Sequence, residues 1–285
     1  MNIRYGTLEY NIDITEICKN ELCINNVIYI PDGEHIRTIY FSDPIFGEFK
    51  SIFVFINNKM LTFDKTKKIY ICLLENKVYS NKNIPNNIKE IFFEYLDDTE
   101  ILDEKVKKFF NEDIQTSKLV INDIYKNLFN KNKKMLIFGL GYDSKMWYYI
   151  TNKNVYFIED NKKYIELNKD ISLDNIIEYG YHNITVKKSF NLSEEEIDYY
   201  PIPQKLLELA PFDIIYIDGP EGCTKNSKGR LIPYYWAKKH LSKKGTIIYC
   251  DDCARLLESY CIHKFFRENK KKQISPDIPC MKVYV

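Results

Sequence analysis

The spacing of apolar positions changes along the chain and divides it in two. Over 1–85 they fall in short runs at 27–30, 37–41, 51–56, 60–63 and 68–74, with turn residues between them. Such runs read as short strands. Pro31-Asp32-Gly33 is a turn signal, and Asn57-Asn58 and Glu75-Asn76-Lys77 read as hairpin loops. Residues 13–22 fit one short helix. The pattern predicts a β-rich module over 1–85, with 80–87, rich in Asn and Lys around Pro85, as a linker.

From 86 to 130 the period becomes helical, through Ile101, Val106, Phe109 and Phe110, then Leu119, Ile121, Ile124, Tyr125 and Leu128. This stretch reads as lead-in helices. Over 131–285 apolar runs alternate with amphipathic stretches. Strands are predicted at 135–138, 155–158, 184–187, 213–217, 246–249 and 281–285, with helices at 144–150, 162–168, 231–240 and 255–266. The alternation predicts an α/β fold with a mainly parallel sheet covered on both faces. The run Lys270–Lys272 reads as a solvated turn.

Composition narrows the function. With 285 residues and 45% hydrophobic residues the chain can build a substantial core. Its 41 basic and 40 acidic residues give a net charge of +1, which disfavours nucleic acid as the main partner. The longest apolar runs are too short to span a membrane, and the N-terminus lacks a signal peptide's apolar core. The expectation is a cytoplasmic protein. The wealth of Ile, Lys, Asn and Tyr and the scarcity of Ala fit an AT-rich genome, such as that of a large DNA virus or a parasite; a viral origin would place it in the host cytoplasm. Its 8 cysteines are then expected as reduced thiols. Cys250-Asp251-Asp252-Cys253 is one CxxC, where a structural zinc site needs four ligands, so buried thiols are the better reading.

The candidate chemistry begins at Gly139-Leu140-Gly141, where a buried strand enters a turn before a helix. Glycines there let the backbone bend sharply and approach a ligand. Asp143 or Ser144 can cap the helix. The next strand ends in Glu159-Asp160, where a carboxylate can hold a nucleoside ribose. A dinucleotide site usually carries a third glycine where Ser144 stands, whereas S-adenosylmethionine has no pyrophosphate to place. The fourth strand delivers Asp218-Gly219-Pro220 at its carboxyl end, where open α/β sheets build their sites.

Three segments carry a resemblance: Phe138-Gly-Leu-Gly-Tyr-Asp-Ser144; Phe157-Ile-Glu-Asp160; and Asp218-Gly-Pro-Glu-Gly222 followed by Gly229-Arg230. Together they resemble the glucuronoxylan 4-O-methyltransferases of plant cell walls, a polysaccharide-biosynthesis methyltransferase family. Tyr249-Cys-Asp-Asp252 to Tyr260 is similar to the family's fifth strand tip and the helix after it, which carries Glu and Tyr; Cys250 stands where the family usually has His. The resemblance covers about 119–285 and leaves out the β-rich module. It implies a Rossmann-like class I methyltransferase sheet that binds S-adenosylmethionine through Gly139, Gly141, Asp143, Ser144, Glu159 and Asp160. It also implies a substrate side built by Gly219, Pro220, Gly222 and Arg230.

A sugar hydroxyl is a poor nucleophile, so methyl transfer to it calls for a positioned base. Asp218 is the expected base or hydroxyl-orienting group, with Asp251 as its partner. Arg230 could clamp a uronic acid carboxylate or fix its own loop by a salt bridge. The paired Asp tips could also hold a divalent ion. His182 and His240 are further base candidates, more simply read as surface residues, and Tyr234-Tyr235-Trp236 reads as core with one ring available to stack on a sugar. The leading expectation is an O-methyltransferase acting on a sugar, nucleotide sugar or glycan. The N-terminal module would be a docking or dimerisation unit, or would help cover the acceptor. The alternatives are a methyltransferase-like scaffold with a degenerate site, an NAD-dependent oxidoreductase, and a nucleic-acid methyltransferase.

Overall fold

The computed structural model describes residues 1–80, 84–85, 88, 104–128, 132–181, 184–275 and 279–285. The chain folds as two compact units, Met1–Asp97 and Asp98–Val285. Much of the expected linker, the first part of the lead-in stretch with Ile101, and His182 lie outside the described residues.

The first unit holds two antiparallel four-stranded sheets. One has the order β2-β1-β5-β6, from β1 (Asn2–Gly6), β2 (Asn11–Asp13), β5 (Ser51–Ile56) and β6 (Lys59–Phe63). The other has the order β3-β4-β7-β8, from β3 (Cys23–Ile24), β4 (Val27–Ile30), β7 (Ile69–Cys72) and β8 (Lys77–Ser80). Asn57 and Asn58 take φ of 51° and 60° between the paired residues Ile56 and Lys59, the left-handed geometry a two-residue hairpin needs. One expected strand is corrected. Its β-branched and aromatic residues suggest extended chain, yet 37–41 closes the helix Glu34–Phe41. Ile36, Ile39 and Tyr40 then fall on one buried face at helical spacing. Arg37, fully buried in that helix, donates to the carbonyls of Pro31 (2.9 Å), Asp64 (3.0 Å) and Lys67 (2.7 Å) and so ties three loop carbonyls to it.

The second unit is a seven-stranded mixed sheet, with helices between most of its parallel strands. Its strands are β9 (Met135–Phe138), β10 (Val155–Glu159), β11 (Ile176–Glu178), β12 (Ile214–Ile217), β13 (Ile247–Cys250), β14 (Lys270–Ser275) and β15 (Cys280–Tyr284). They lie in the order β11-β10-β9-β12-β13-β15-β14. The strands β9 to β13 are parallel, while β15 runs antiparallel to β13 and β14 antiparallel to β15. Every residue of β9, β12 and β13 is buried, as strands covered on both faces require. Trp147, Phe157, Tyr216, Tyr249, Ile121 and Ile124 pack in one core, so the helix Lys118–Leu128 belongs to this unit's interior.

Two expectations are corrected here. The third strand is Ile176–Glu178, and the segment expected as a strand at 184–187 leads into the helix Val186–Ser189, capped by the Thr185 side chain. The lysine run 270–272 is the start of β14. Lys271 is buried, and its ammonium donates to the carbonyls of Phe266, Arg267 and Asn269. It satisfies the exposed end of the helix Leu256–Phe266, where a cation also suits the dipole.

Candidate functional site

The order of strands reverses between β9 and β12, since the chain winds outward from β9 in one direction and from β12 in the other. Open sheets form their crevice at such a point, beyond the carboxyl ends of the strands. A cavity of about 540 Å³ lies there. Its walls come from the tips of β9 (Gly139 to Asp143), β10 (Glu159 to Asn161), β12 (Asp218 to Cys223) and β13 (Asp251, Asp252), together with Arg230 and Arg255. The expected cofactor and substrate residues Gly139, Gly141, Asp143, Glu159, Asp160, Asp218, Gly219, Pro220, Gly222, Arg230 and Asp251 all line this one cavity. Ser144 is buried behind it.

Backbone packing brings the two central tips together. Gly139 has φ of +113°, a conformation that L side chains rarely adopt, and a Cβ on it would stand 3.2 Å from the Gly219 nitrogen. A Cβ on Gly219 would stand 2.8 Å from the Gly139 Cα. The Gly219 N–H donates to the Phe138 carbonyl at 2.5 Å. The two glycines let the β9 and β12 tips touch and so bring their side chains to one crevice.

At the β9 turn the Ser144 hydroxyl accepts from the Gly141 N–H (2.8 Å) and braces the turn. Asp143 occupies the helix N-cap, but its carboxylate does not cap. It accepts from the Trp147 indole N–H (2.8 Å) and the Thr116 hydroxyl (3.0 Å). Burial, with Asp218 nearby, raises its pKa to about 6. Thr116 and Gln115 also line the cavity; they precede the helix Lys118–Leu128, and nothing in their local sequence marks them.

Glu159 is buried at the β10 tip. One carboxylate oxygen accepts from the Asp160 (2.8 Å) and Asn161 (2.7 Å) N–H groups, and the other from the Leu140 N–H (2.6 Å). It therefore clamps the glycine turn to the second strand. The second oxygen keeps a lone pair beside the cavity. Burial raises its pKa, against the three N–H groups. Asp160 pairs with the Lys228 ammonium.

On the other wall, Asp218, Asp251 and Asp252 each place a carboxylate oxygen within 4.8 Å of the others. Asp252 has φ of +53°. Burial and the charge of Asp218 push Asp251 well above the usual carboxylate range, against the pull of Arg230. Arg230 is almost fully buried. Its fork donates to Asp252 (2.9 Å), Asp218 (3.3 Å) and the Asp251 (3.0 Å) and Pro220 (3.3 Å) carbonyls. Burial opposes its charge, but Asp218, Asp252 and Asp251 more than offset that and raise its pKa. Arg255 joins Asp252 at 2.8 Å. Three carboxylates in reach of one another are a donor set suited to a cation, and here a guanidinium lies against two of them.

The other expected candidates stand apart. His240 is exposed at the end of the helix that begins at Leu231, beside Tyr235. Tyr234, Tyr235 and Trp236 are core residues, and none of them lines the cavity. Cys250 and Cys253 are buried free thiols. Among the described residues no helix is long and apolar enough to cross a membrane.

No family model and no curated protein matches the sequence. Among solved structures the chain is similar to a Staphylococcus aureus protein described as a caffeoyl-CoA O-methyltransferase. The two share 15% identity with a TM-score of 0.35, over 72% of this chain and 94% of that one.

Proposed function

We propose that the protein is an S-adenosylmethionine-dependent O-methyltransferase acting on a hydroxyl of a sugar or glycan. The observation that carries this reading is the charge of the cavity. Among the described residues, Asp143, Glu159, Asp160, Asp218, Glu221, Asp251 and Asp252 line it against Arg230 and Arg255. Even with Asp143 and Asp251 shifted upward, such a cavity repels a pyrophosphate. It suits a cofactor with a sulfonium and an ammonium group against one carboxylate. The sheet order, with β15 alone of its described strands reversed, fits a class I methyltransferase.

The residues fit that cofactor. The free lone pair of Glu159 suits a ribose hydroxyl, and the Gly139–Gly141 backbone leaves room for close approach. Bound there, S-adenosylmethionine supplies an already activated methyl group. The chain's own task is then alignment and proton removal. Asp218 is partly exposed to the cavity and takes the proton that the acceptor oxygen loses as its new C–O bond forms. Asp251, held beside it, shares the proton. Arg230 fixes Asp218 and Asp252 from behind; with its fork engaged by the chain's own oxygens, it serves this reading as a brace rather than as a clamp for a uronic acid.

Calorimetry with S-adenosylmethionine and NAD, followed by labelled methyl transfer to free sugars, nucleotide sugars and glycans, tests the proposal. Binding of the first cofactor alone and labelling of one acceptor class are expected. NAD binding would overturn it. Cofactor binding without transfer to any sugar would leave only the scaffold or another acceptor.

A further inference from the structure

Glu258, in the helix Leu256–Phe266, is fully buried, and among the described residues neither of its carboxylate oxygens has a hydrogen-bond partner. One oxygen lies 4.0 Å from the Arg230 Nε. The same oxygen lies 2.9 Å from where a Cβ on Gly222 would stand. Gly222 is part of the cavity wall. A buried carboxylate without hydrogen bonds is costly, and one beside a buried guanidinium is tolerated because the two charges compensate.

The arrangement has a direction. The Arg230 fork reaches Asp218 and Asp252 with one terminal nitrogen, while its Nε–H is donated to the Pro220 carbonyl and the Glu258 carboxylate lies 4.0 Å from that nitrogen. Without a charge behind it, the guanidinium would be pulled only toward the cavity. Gly222, having no side chain, leaves free the space that the Glu258 carboxylate occupies.

We infer that Glu258 is a positioning residue: its carboxylate anchors Arg230 from behind, and Gly222 is side-chain-free so that this anchor fits. The anchor holds Arg230, and through it Asp218, in the pose that receives the acceptor's proton. This part rests on the methyl-transfer reading; the anchoring of Arg230 does not. Burial raises the pKa of Glu258, and the charge of Arg230 opposes that rise, so the pair depend on each other.

The test uses the full-length protein and two kinds of readout. The chain has only five arginines (Arg4, Arg37, Arg230, Arg255 and Arg267), so the Nε–H resonances are few, and Arg230→Lys identifies the one concerned. A slowly exchanging Arg230 Nε–H is expected in the wild type. It should broaden or exchange at least 10-fold faster in Glu258→Gln and be largely retained in Glu258→Asp. Gly222→Ala, which presses on the carboxylate without removing it, should act like Glu258→Gln. In a Glu258→Ala background Gly222→Ala should add less than a twofold effect. On the kinetic side, Glu258→Gln should lower kcat by about 10-fold or more, the scale of one charge-assisted contact. Its affinity for S-adenosylmethionine should stay within twofold of wild type, and Glu258→Asp should recover part of kcat.

An unchanged Arg230 signal in Glu258→Gln would overturn the anchor, as would equal Gly222→Ala effects in both backgrounds. A shifted signal with unchanged kcat would overturn the link to catalysis. Failure of the wild type to methylate any acceptor would sink the functional reading and leave the anchor to the resonance measurement, which needs no turnover.

Discussion

Asp218, Glu159 and Asp143 are three carboxylates at three strand tips, and their surroundings give them different tasks. Asp218 makes one long contact to Arg230, lies against the Asp251 carboxyl and is partly exposed at the cavity. Asp218→Asn should preserve the fold and most cofactor binding while turnover falls roughly 10²–10⁴-fold, the usual worth of a general base. Melting curves and turnover on one sample check this, and a destabilised but fully active variant would make Asp218 a turn residue. Glu159 both braces the glycine turn and offers one lone pair. Glu159→Ala removes the acceptor of three N–H groups, the Leu140 one buried, and should lose stability as well as cofactor affinity. Glu159→Gln, which can retain some of these bonds, should separate the two: calorimetry should still show about a 10-fold loss of affinity while the melting temperature falls less. Asp143 follows from its raised pKa. An acid that titrates near 6 when folded and near 3.8 when unfolded costs stability once both states are ionised. That cost is absent below the unfolded value, grows as pH rises, and is complete above about 6. At about 1.4 kcal/mol per unit it approaches 3 kcal/mol. Asp143→Asn removes it, so urea titrations should show the variant gaining relative to wild type between pH 4 and pH 7. A difference independent of pH would refute the shift.

Among the elements, the tightest constraint is the contact between the β9 and β12 tips. Gly139→Ala would force a left-handed alanine against the Gly219 backbone, and backbone cannot swing aside as a side chain can. A loss of about 2–4 kcal/mol in stability is expected from strain and misfit together, with cofactor affinity falling as the tips part. Wild-type melting with normal binding would show that the tips need not touch. This contact also explains what the sequence revealed. The central strands were legible because burial on both faces leaves unbroken apolar runs such as Ile214–Ile217, and their carboxyl ends named the site. The turn glycines and the acids at the tips were legible for the same reason. The short strand Ile176–Glu178 was not, because three residues carry no period, and Thr185 sends the next apolar stretch into a helix. The lysines of β14 read as solvated because charge normally means exposure; the partners of Lys271 are carbonyls distant from any motif. Thr116 and Arg255 enter the site through tertiary packing alone. The role of Arg230 depended on how many oxygens surround it, which no one-dimensional pattern records.

At the scale of the molecule, the question is whether the site needs the first unit. Every described residue lining the cavity lies between Gln115 and Arg255, inside the unit Asp98–Val285. The supports of those residues do too: Thr116 under Asp143, Lys228 on Asp160, Glu258 beside Arg230. The core that carries the sheet is also internal to this unit, from Val106 through Cys280. A core of that extent in about 190 residues is ample for independent folding. The first unit has its own two sheets and its own buried tie, Arg37. A chain shortened to 98–285 should therefore fold, melt cooperatively and bind S-adenosylmethionine within a few-fold of the full protein. If the first unit helps hold the acceptor or joins two copies, the shortened chain should keep cofactor affinity while the acceptor KM rises or the sedimentation coefficient falls to that of a monomer. Each of those results assigns the first unit a task outside cofactor binding. Aggregation of the shortened chain, with cofactor binding seen only in the full protein, would mean that the two units form a single folding unit and that the site depends on both.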